Sequence, residues 1–498
     1  KDGKEISPSG HLVDTFAYDS FSSPAMQNMG DYRYENSDYY YVNYAEGIYV
    51  GYKYYETRYE DVVTGRANTG VYDYNSVVQY PFGYGMSYTD FTWDNFEVSQ
   101  PDENGEITVT VTVRNTGLDG VKRRGKDVVQ IYVQSPYTEY DEEYGVEKAA
   151  VSLVGFAKTD YIEPDGEYEA SVKINLKDFV SYDANNEKTY ILESGKYYIT
   201  AAPDAHTAVN NVLAARSEQG DNKVDLSKLS GTGNSSLVGS YVCNSTDKTT
   251  YSTYNNGDEQ VKITNQFDGC TAEGAKYLSR SNWSVMENNG LRYGYASQAD
   301  SGAEIGGKQW AHAISSELKA KLDSRSSLNP AEGTAPTKYQ FGEKNGVDLI
   351  DLRGADFDDP LWDELLSELT IPELNKLIDE CGYCSPAAKS INKPKVSDLD
   401  GPAGLNKVVG HGSLPMTWPT EYMLASTWNE DLAVKMGEGV GEDGLFGGVV
   451  GWYGPGMNIH RTPFAGRNFE YYSEDSFISG VLGAAEVQGA ARKGMYSF

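Results

Sequence analysis

Cysteine is scarce in this chain: Cys243, Cys270, Cys381 and Cys384 are the only four among 498 residues. Four are too few to staple a disulfide scaffold. Cys381-Gly-Tyr-Cys384 is a lone CxxC without a second pair or nearby histidines, so it reads as structural and not as a metal or redox site. Histidine is equally thin, and the isolated His11, His206, His312 and His411 carry no signal. Basic residues number 42 against 73 acidic ones, a net charge of −31. Such a chain repels phosphate backbones, which excludes nucleic acid as a partner; the acidity reads as a solvated surface. No apolar run approaches the roughly 18 residues of a membrane span. The opening residues KDGKEISPSG lack the apolar stretch of a signal peptide.

Hydrophobic residues make up 39%, enough for real cores. A prior of about 150 residues per domain predicts about three domains. Tyrosine is abundant, with 40 residues against 15 Phe and 7 Trp. Its flat ring and hydroxyl suit both sugar binding and β-sheets, and most of these tyrosines are expected to be structural.

Tyr41–Glu56 is rich in β-formers without clean alternation and reads as sheet or extended loop. Ile107–Val113 alternates strictly, as a half-buried strand does. Asp127–Gln134, Val151–Phe156, the EYEASVKI stretch from Glu167 and Gly195–Thr200 add further short strands between turns. Together they predict a β-sandwich. Residues 205–355 are rich in Asn, Ser, Gly and Thr and predict irregular segments, with a short helix near Ala311–Leu322.

From Asp359 the pattern becomes α/β. Leu361, Leu365, Leu366 and Leu369 predict a helix face. Thr370-Ile-Pro-Glu373 is a capping box for a second helix bearing Leu374, Leu377 and Ile378. Lys395–Leu399 predicts a short strand. Thr427-Trp-Asn-Glu430 reads as another capping box, opening a helix with Leu432, Met436 and Val440 on one face. Gly448–Trp452 predicts a buried strand and Ser476–Arg492 a helix. This alternation is how a (β/α) barrel or doubly wound sheet begins.

In such folds, functional residues sit in loops beyond the C-terminal strand ends. Asp400-Gly-Pro-Ala-Gly404 turns sharply there. Asp400 could accept two hydrogen bonds from adjacent sugar hydroxyls, or it could cap its own turn. The loop Tyr453–Asp475 collects His460, Arg461, Arg467, Glu470, Glu474 and Asp475. A fixed guanidinium can fork to vicinal hydroxyls; alternatively, Arg461 and Glu474 belong to an ion-pair network that stiffens the loop. Retaining glycosidases need two carboxyl groups about 5–5.5 Å apart. Composition cannot choose that pair, and Glu470 or Asp475 would be the naive candidates.

DGPAG at Asp400, LASTWNEDLA at Leu424–Ala433 and YGPGMNIHRTPFAGRNFEYYSEDSFISG at Tyr453–Gly480 resemble the catalytic barrel of family 3 glycoside hydrolases. Pro81–Phe91, DVVQIYV and Leu153–Lys158 resemble that family's fibronectin-III-like domain. Pro8–Phe16 and Tyr44–Glu56 resemble the end of its α/β sandwich domain. The resemblance implies a multidomain α/β plus all-β fold. Residues 1–75 would be the C-terminal part of the α/β sandwich domain, and 76–205 the fibronectin-III-like sandwich. Residues 206–358 would be an irregular connection, and 359–498 the N-terminal part of a (β/α)8 barrel. That order resembles the reversed-order subgroup of bacterial β-glucosidases.

The resemblance further implies that Asp400 and Arg467 bind hydroxyls of the terminal sugar. Arg461, Glu470, Glu474 and Asp475 are then loop supports. The family's Lys-His pair, nucleophilic Asp and acid/base Glu have no match here, so no catalytic residue is expected within this chain. The polypeptide is expected to continue at both ends or to pair with a second fragment. The implied activity is retaining hydrolysis of β-glucosides or cello-oligosaccharides, without metal or organic cofactor. A β-xylosidase of the same family and a non-catalytic carbohydrate-binding or scaffold protein are the competing readings. Abundant Tyr and Asn with few Lys and Cys favour an extracytoplasmic or cell-surface location.

Overall fold

The computed structural model describes residues 7–27, 44–118, 120–256, 259–265, 277–283, 340–406 and 416–498, together with a few isolated positions. Most of the helix expected near Ala311–Leu322 lies outside the described residues, and at its start His312–Ala313 is instead a short strand parallel to Tyr32–Arg33. Near the N-terminus, Phe16–Ala17 pairs antiparallel with Val78–Tyr80. Between them runs α1 (Tyr52–Val63). The reading of Tyr41–Glu56 as sheet or loop is therefore corrected from Tyr52 onward. Tyr52, Tyr55, Tyr59 and Val63 are all buried and repeat at helical spacing. Tyrosine's β-preference reflects packing surroundings and yields to that stripe.

The sandwich is assembled from β1 (Phe91–Val98), β2 (Glu106–Asn115), β3 (Val128–Gln134), β4 (Ser152–Lys158), β5 (Glu167–Asn175) and β6 (Gly195–Ala202). It is followed by α2 (Ala205–Glu218) and β7 (Val238–Cys243). One sheet has the order β1-β2-β5 and the other β7-β6-β3-β4, all antiparallel. Residues 206–243, read from sequence as the start of an irregular connection, thus hold a helix and a strand of the second sheet. Their small and polar side chains conceal both. α2 buries Ala205, Ala208, Val209, Val212 and Leu213, and its two alanines here carry almost no periodic signal.

β3 is buried along its whole length. Val129, Ile131 and Val133 fill the sandwich interior. Val128 and Tyr132 point the other way, into a second core that also takes Tyr52 and Tyr59 of α1 and Val209 of α2. That second core continues into the C-terminal part through Trp428, Met436, Tyr472 and Ile478. The two buried glutamines of β3 are satisfied by backbone carbonyls, Gln130 by Gly83 at 3.0 Å and Gln134 by Ala150 at 2.8 Å.

The C-terminal part contains α3 (Leu361–Glu368), α4 (Ile371–Asp379), β8 (Val396–Asp400), α5 (Glu421–Ala425), α6 (Glu430–Gly447), β9 (Gly451–Tyr453), α7 (Ser476–Ala491) and β10 (Tyr496–Ser497). β8, β9 and β10 pair in parallel, and Cys384–Ser385 adds an antiparallel edge to β8. This is an open (β/α) unit, not a closed barrel, among the described residues. The Thr370–Glu373 capping box is present. The second expected box is corrected: α6 is capped by Asn429, whose side chain accepts from Leu432 N–H, while Thr427 bonds back to Leu424. Leu365 and Leu369 are buried, but Leu361 and Leu366 stay exposed because α3 packs on one small cluster only. The strand expected from Gly448 starts at Gly451, since Gly448 is the left-handed cap of α6. α6 and α7 lie backbone to backbone. A Cβ at Gly437 would strike the Glu486 carbonyl, and one at Gly489 would strike that of Val434.

Candidate active site

Asp400 closes β8, and the turn after it is locked from two sides. Asp400 N donates to Asn406 O at 3.0 Å, and Asn406 N returns to Asp400 O at 2.7 Å. The indole N–H of Trp452 donates to Gly401 O at 2.5 Å, tying the turn to β9. Gly401 sits at φ +108°, and a Cβ there would strike the Gly404 carbonyl. The half-buried Asp400 carboxylate meets no hydrogen-bonding partner among the described residues and does not cap its own turn. Of the two roles open from sequence, the geometry leaves it free.

Parallel register sets Tyr453 beside Asp400. The Tyr453 ring stacks on Phe498 at 4.2 Å and meets Tyr383 at 4.7 Å. The strand ends therefore present an acid beside an aromatic ladder. Sequence reading named none of these three rings, because nothing local distinguishes them among so many tyrosines.

Arg467 caps a single turn, Asn468–Glu470. Its side chain is 72% exposed and ion-paired to the buried Glu470 carboxylate. The Glu470 hydrogen bond, with smaller contributions that include the Asp400 charge, holds the guanidinium above its ordinary pKa. The charge of Asp400, 67 residues away in sequence, thus reaches Arg467 as the weakest of these contributions.

The other loop residues face inward. Arg461 forms a two-pronged ion pair with Glu46 and lies 4.2 Å over the Tyr44 ring. Glu474 accepts from Thr15 Oγ1 at 2.7 Å and Tyr52 N at 2.8 Å. Burial, reinforced by the Asp14 charge, pushes its carboxyl up to about 8. Arg461 and Glu474 do not pair with each other; each anchors the loop to the N-terminal segment. Asp475 caps α7 through Phe477 N and Ile478 N, and accepts from Tyr52 O–H at 2.8 Å. His460 is held at both ring nitrogens, by Asp14 at 2.7 Å and Tyr471 O at 3.1 Å. Burial pulls its pKa down, but Asp14 outweighs this and raises it. A cavity of about 430 Å³ lies between this loop and the N-terminal segment, bounded by Asp14, Tyr55, Tyr422 and Phe469. No cluster of three or more His, Cys, Asp or Glu suited to a metal occurs among the described residues.

Residues 127–205 match the fibronectin type III-like domain family. The whole chain aligns with β-glucosidase A of Butyrivibrio fibrisolvens at 29% identity, over 97% of this chain and 52% of that protein. A β-glucosidase of Ruminococcus albus aligns at 28% identity, over 97% of this chain and 42% of its own length. Along nearly its whole length the chain is similar to these β-glucosidases. It spans about half the length of the curated relatives it matches. The fold agrees with the solved structure of a β-glucosidase from Paenibacillus barengoltzii, with a TM-score of 0.62, 22% identity, and coverage of 99% of this chain and 45% of that one. In this chain the sandwich precedes the (β/α) unit, the order expected from its resemblance to the reversed-order subgroup. No helix among the described residues is long and apolar enough to cross a membrane.

Proposed function

We propose that this polypeptide contributes to hydrolysis of terminal non-reducing β-D-glucosyl residues from β-glucosides or cello-oligosaccharides, by retaining double displacement. Asp400 and Arg467 bind hydroxyls of the terminal sugar. The observation that carries this reading is the unpartnered Asp400 carboxylate, set at a parallel strand end within electrostatic reach of the exposed Arg467. Similarity along 97% of this chain to about half the length of named β-glucosidases supports it. Glu470 and Asp475 are not proposed as nucleophile or acid/base, since one is committed to Arg467 and the other to the cap of α7. The domain assignment by sequence is kept, with β7 added to the sandwich.

The test is glucose binding, followed by titration calorimetry, alongside hydrolysis of p-nitrophenyl glucoside and p-nitrophenyl xyloside by the complete enzyme. Asp400→Asn is expected to weaken glucose binding about 10- to 100-fold, the range for a hydrogen bond to a charged group. Unchanged affinity in both Asp400→Asn and Arg467→Met would remove the pair from the site. Preference for the xyloside would replace the glucosidase by the xylosidase.

A further inference from the structure

Glu421 opens α5 and Glu486 lies within α7, and both residues are 0% exposed. Both carboxyl oxygens of Glu421 and Oε1 of Glu486 lack a well-aligned hydrogen bond, and only the backbone N–H groups of Glu421 itself and Gly456 come near the Glu421 carboxyl. The fourth oxygen, Glu486 Oε2, accepts from Tyr472 O–H at 2.5 Å. Neither carboxyl has an ion pair among the described residues. Ionised carboxylates in such a setting cost several kcal/mol each, so a buried group without a counter-charge keeps its proton instead.

The surroundings supply no positive charge among the groups that act most strongly on the pair. Glu486 faces Glu421 from α7, Glu470 faces it from the turn after Arg467, and the Gly456 N–H approaches from the loop after β9. Tyr472 faces Glu486. Burial, then the Glu486 charge, pushes Glu421 up to about 9. Burial pushes Glu486 up to about 7.

Both ends of the candidate sugar-binding loop rest on this pair. Gly456 approaches Glu421 and is packed against the Glu470 carbonyl and the Tyr471 ring. Tyr472 follows directly. We propose that Glu421 and Glu486 are a proton-holding carboxyl pair that positions the Arg467–Glu470 turn, so that loss of the protons loosens the loop carrying the sugar-binding arginine. These are positioning residues, and the functional half of the proposal rests on the sugar-binding reading above.

The sign follows from linkage. The unfolded chain releases both protons near the ordinary glutamate value of 4.5, whereas the folded chain keeps them to about 7 and about 9. Unfolding therefore releases protons across that interval, and stability falls as pH rises through it. Replacing either carboxyl by an amide removes the titration.

Thermal midpoints from pH 5 to 9 should be compared for the whole chain, Glu421→Gln and Glu486→Gln. Hydrogen exchange of residues 453–475 and glucose affinity should be followed on the same samples. In the unaltered chain the midpoint should fall towards pH 9, and protection in that loop, relative to the base-catalysed intrinsic exchange rate, should fall at least tenfold. Both variants should flatten the fall and slow the exchange, and Glu421→Gln should move the alkaline loss of glucose binding to higher pH. Should the midpoint profiles of the chain and both variants run parallel, or should the exchange change arise only elsewhere, the pair has no such role. A flattened profile in a chain that binds no glucose at any pH would keep the carboxyl pair and sink only the sugar-binding reading.

Discussion

Replacing Arg280 by methionine is expected to cost about 3–5 kcal/mol of stability, the range for breaking a buried ion pair on one side. The side chain is 5% exposed and serves two acids of α1 at once. Its Nε donates to Asp61 Oδ1 at 2.8 Å, and Nη2 lies 2.7 Å from the same oxygen while also bonding Glu60. Arg216 reaches Glu60 at 2.6 Å, and the Trp283 indole reaches Asp61 at 2.8 Å. Burial opposes ionisation of both acids. Arg280 and Arg216 together overcome it at Glu60, whose pKa is lowered, but Asp61 stays raised.

The two acids will therefore respond differently to the loss. Glu60 keeps Arg216. Asp61 keeps only the indole and Arg66 at 3.4 Å, and will take up a proton. A proton held by the folded chain and released on unfolding makes stability fall with rising pH. The deficit should accordingly be larger at pH 8 than at pH 5. Urea unfolding at both values measures it, with an unchanged m-value marking a true stability change. Asp61→Asn added to Arg280→Met should recover part of the loss. A deficit below about 1 kcal/mol at pH 8 would mean that the network is solvated, like a surface pair.

Arg280 also marks the limit of what sequence could reveal. Its partners lie 219 and 220 residues earlier, and periodicity reads only neighbours. The sandwich was legible where side chains alternate, as in Ile107–Val113. The helices of the C-terminal part were legible through their caps and apolar stripes. α1 was misread because tyrosine carries a β-preference that its packing overrides. Asp400 and Arg467 could be named from motif-bearing loops. Glu421 and Glu486 could not, since a glutamate in a helix ordinarily faces water. Only three-dimensional packing reveals that these two do not.

Trp428→Ala is expected to lower stability by about 3–5 kcal/mol, as truncation of a fully buried aromatic does. It should also separate the unfolding of the sandwich from that of the (β/α) unit. Trp428 is 0% exposed and joins three parts of the chain. Its ring meets Phe82 at 5.6 Å and Phe156 of β4 at 5.4 Å, edge to face. Its indole N–H donates to His11 O at 3.2 Å. The connection is reinforced nearby, where His11 N donates to Ser426 O at 2.9 Å. Trp428 also holds φ +51°, a left-handed conformation unfavourable for any residue with a Cβ. Packing of the indole offsets that strain. Alanine would lose the packing and keep the strain, whereas glycine would lose the packing alone. Trp428→Gly should therefore be more stable than Trp428→Ala, by about 0.5–1 kcal/mol. Scanning calorimetry of the three chains distinguishes the outcomes. One cooperative transition is expected with tryptophan, and two resolved transitions with alanine or glycine. A single transition at an unchanged midpoint in Trp428→Ala would show that the sandwich and the (β/α) unit are held together by other contacts.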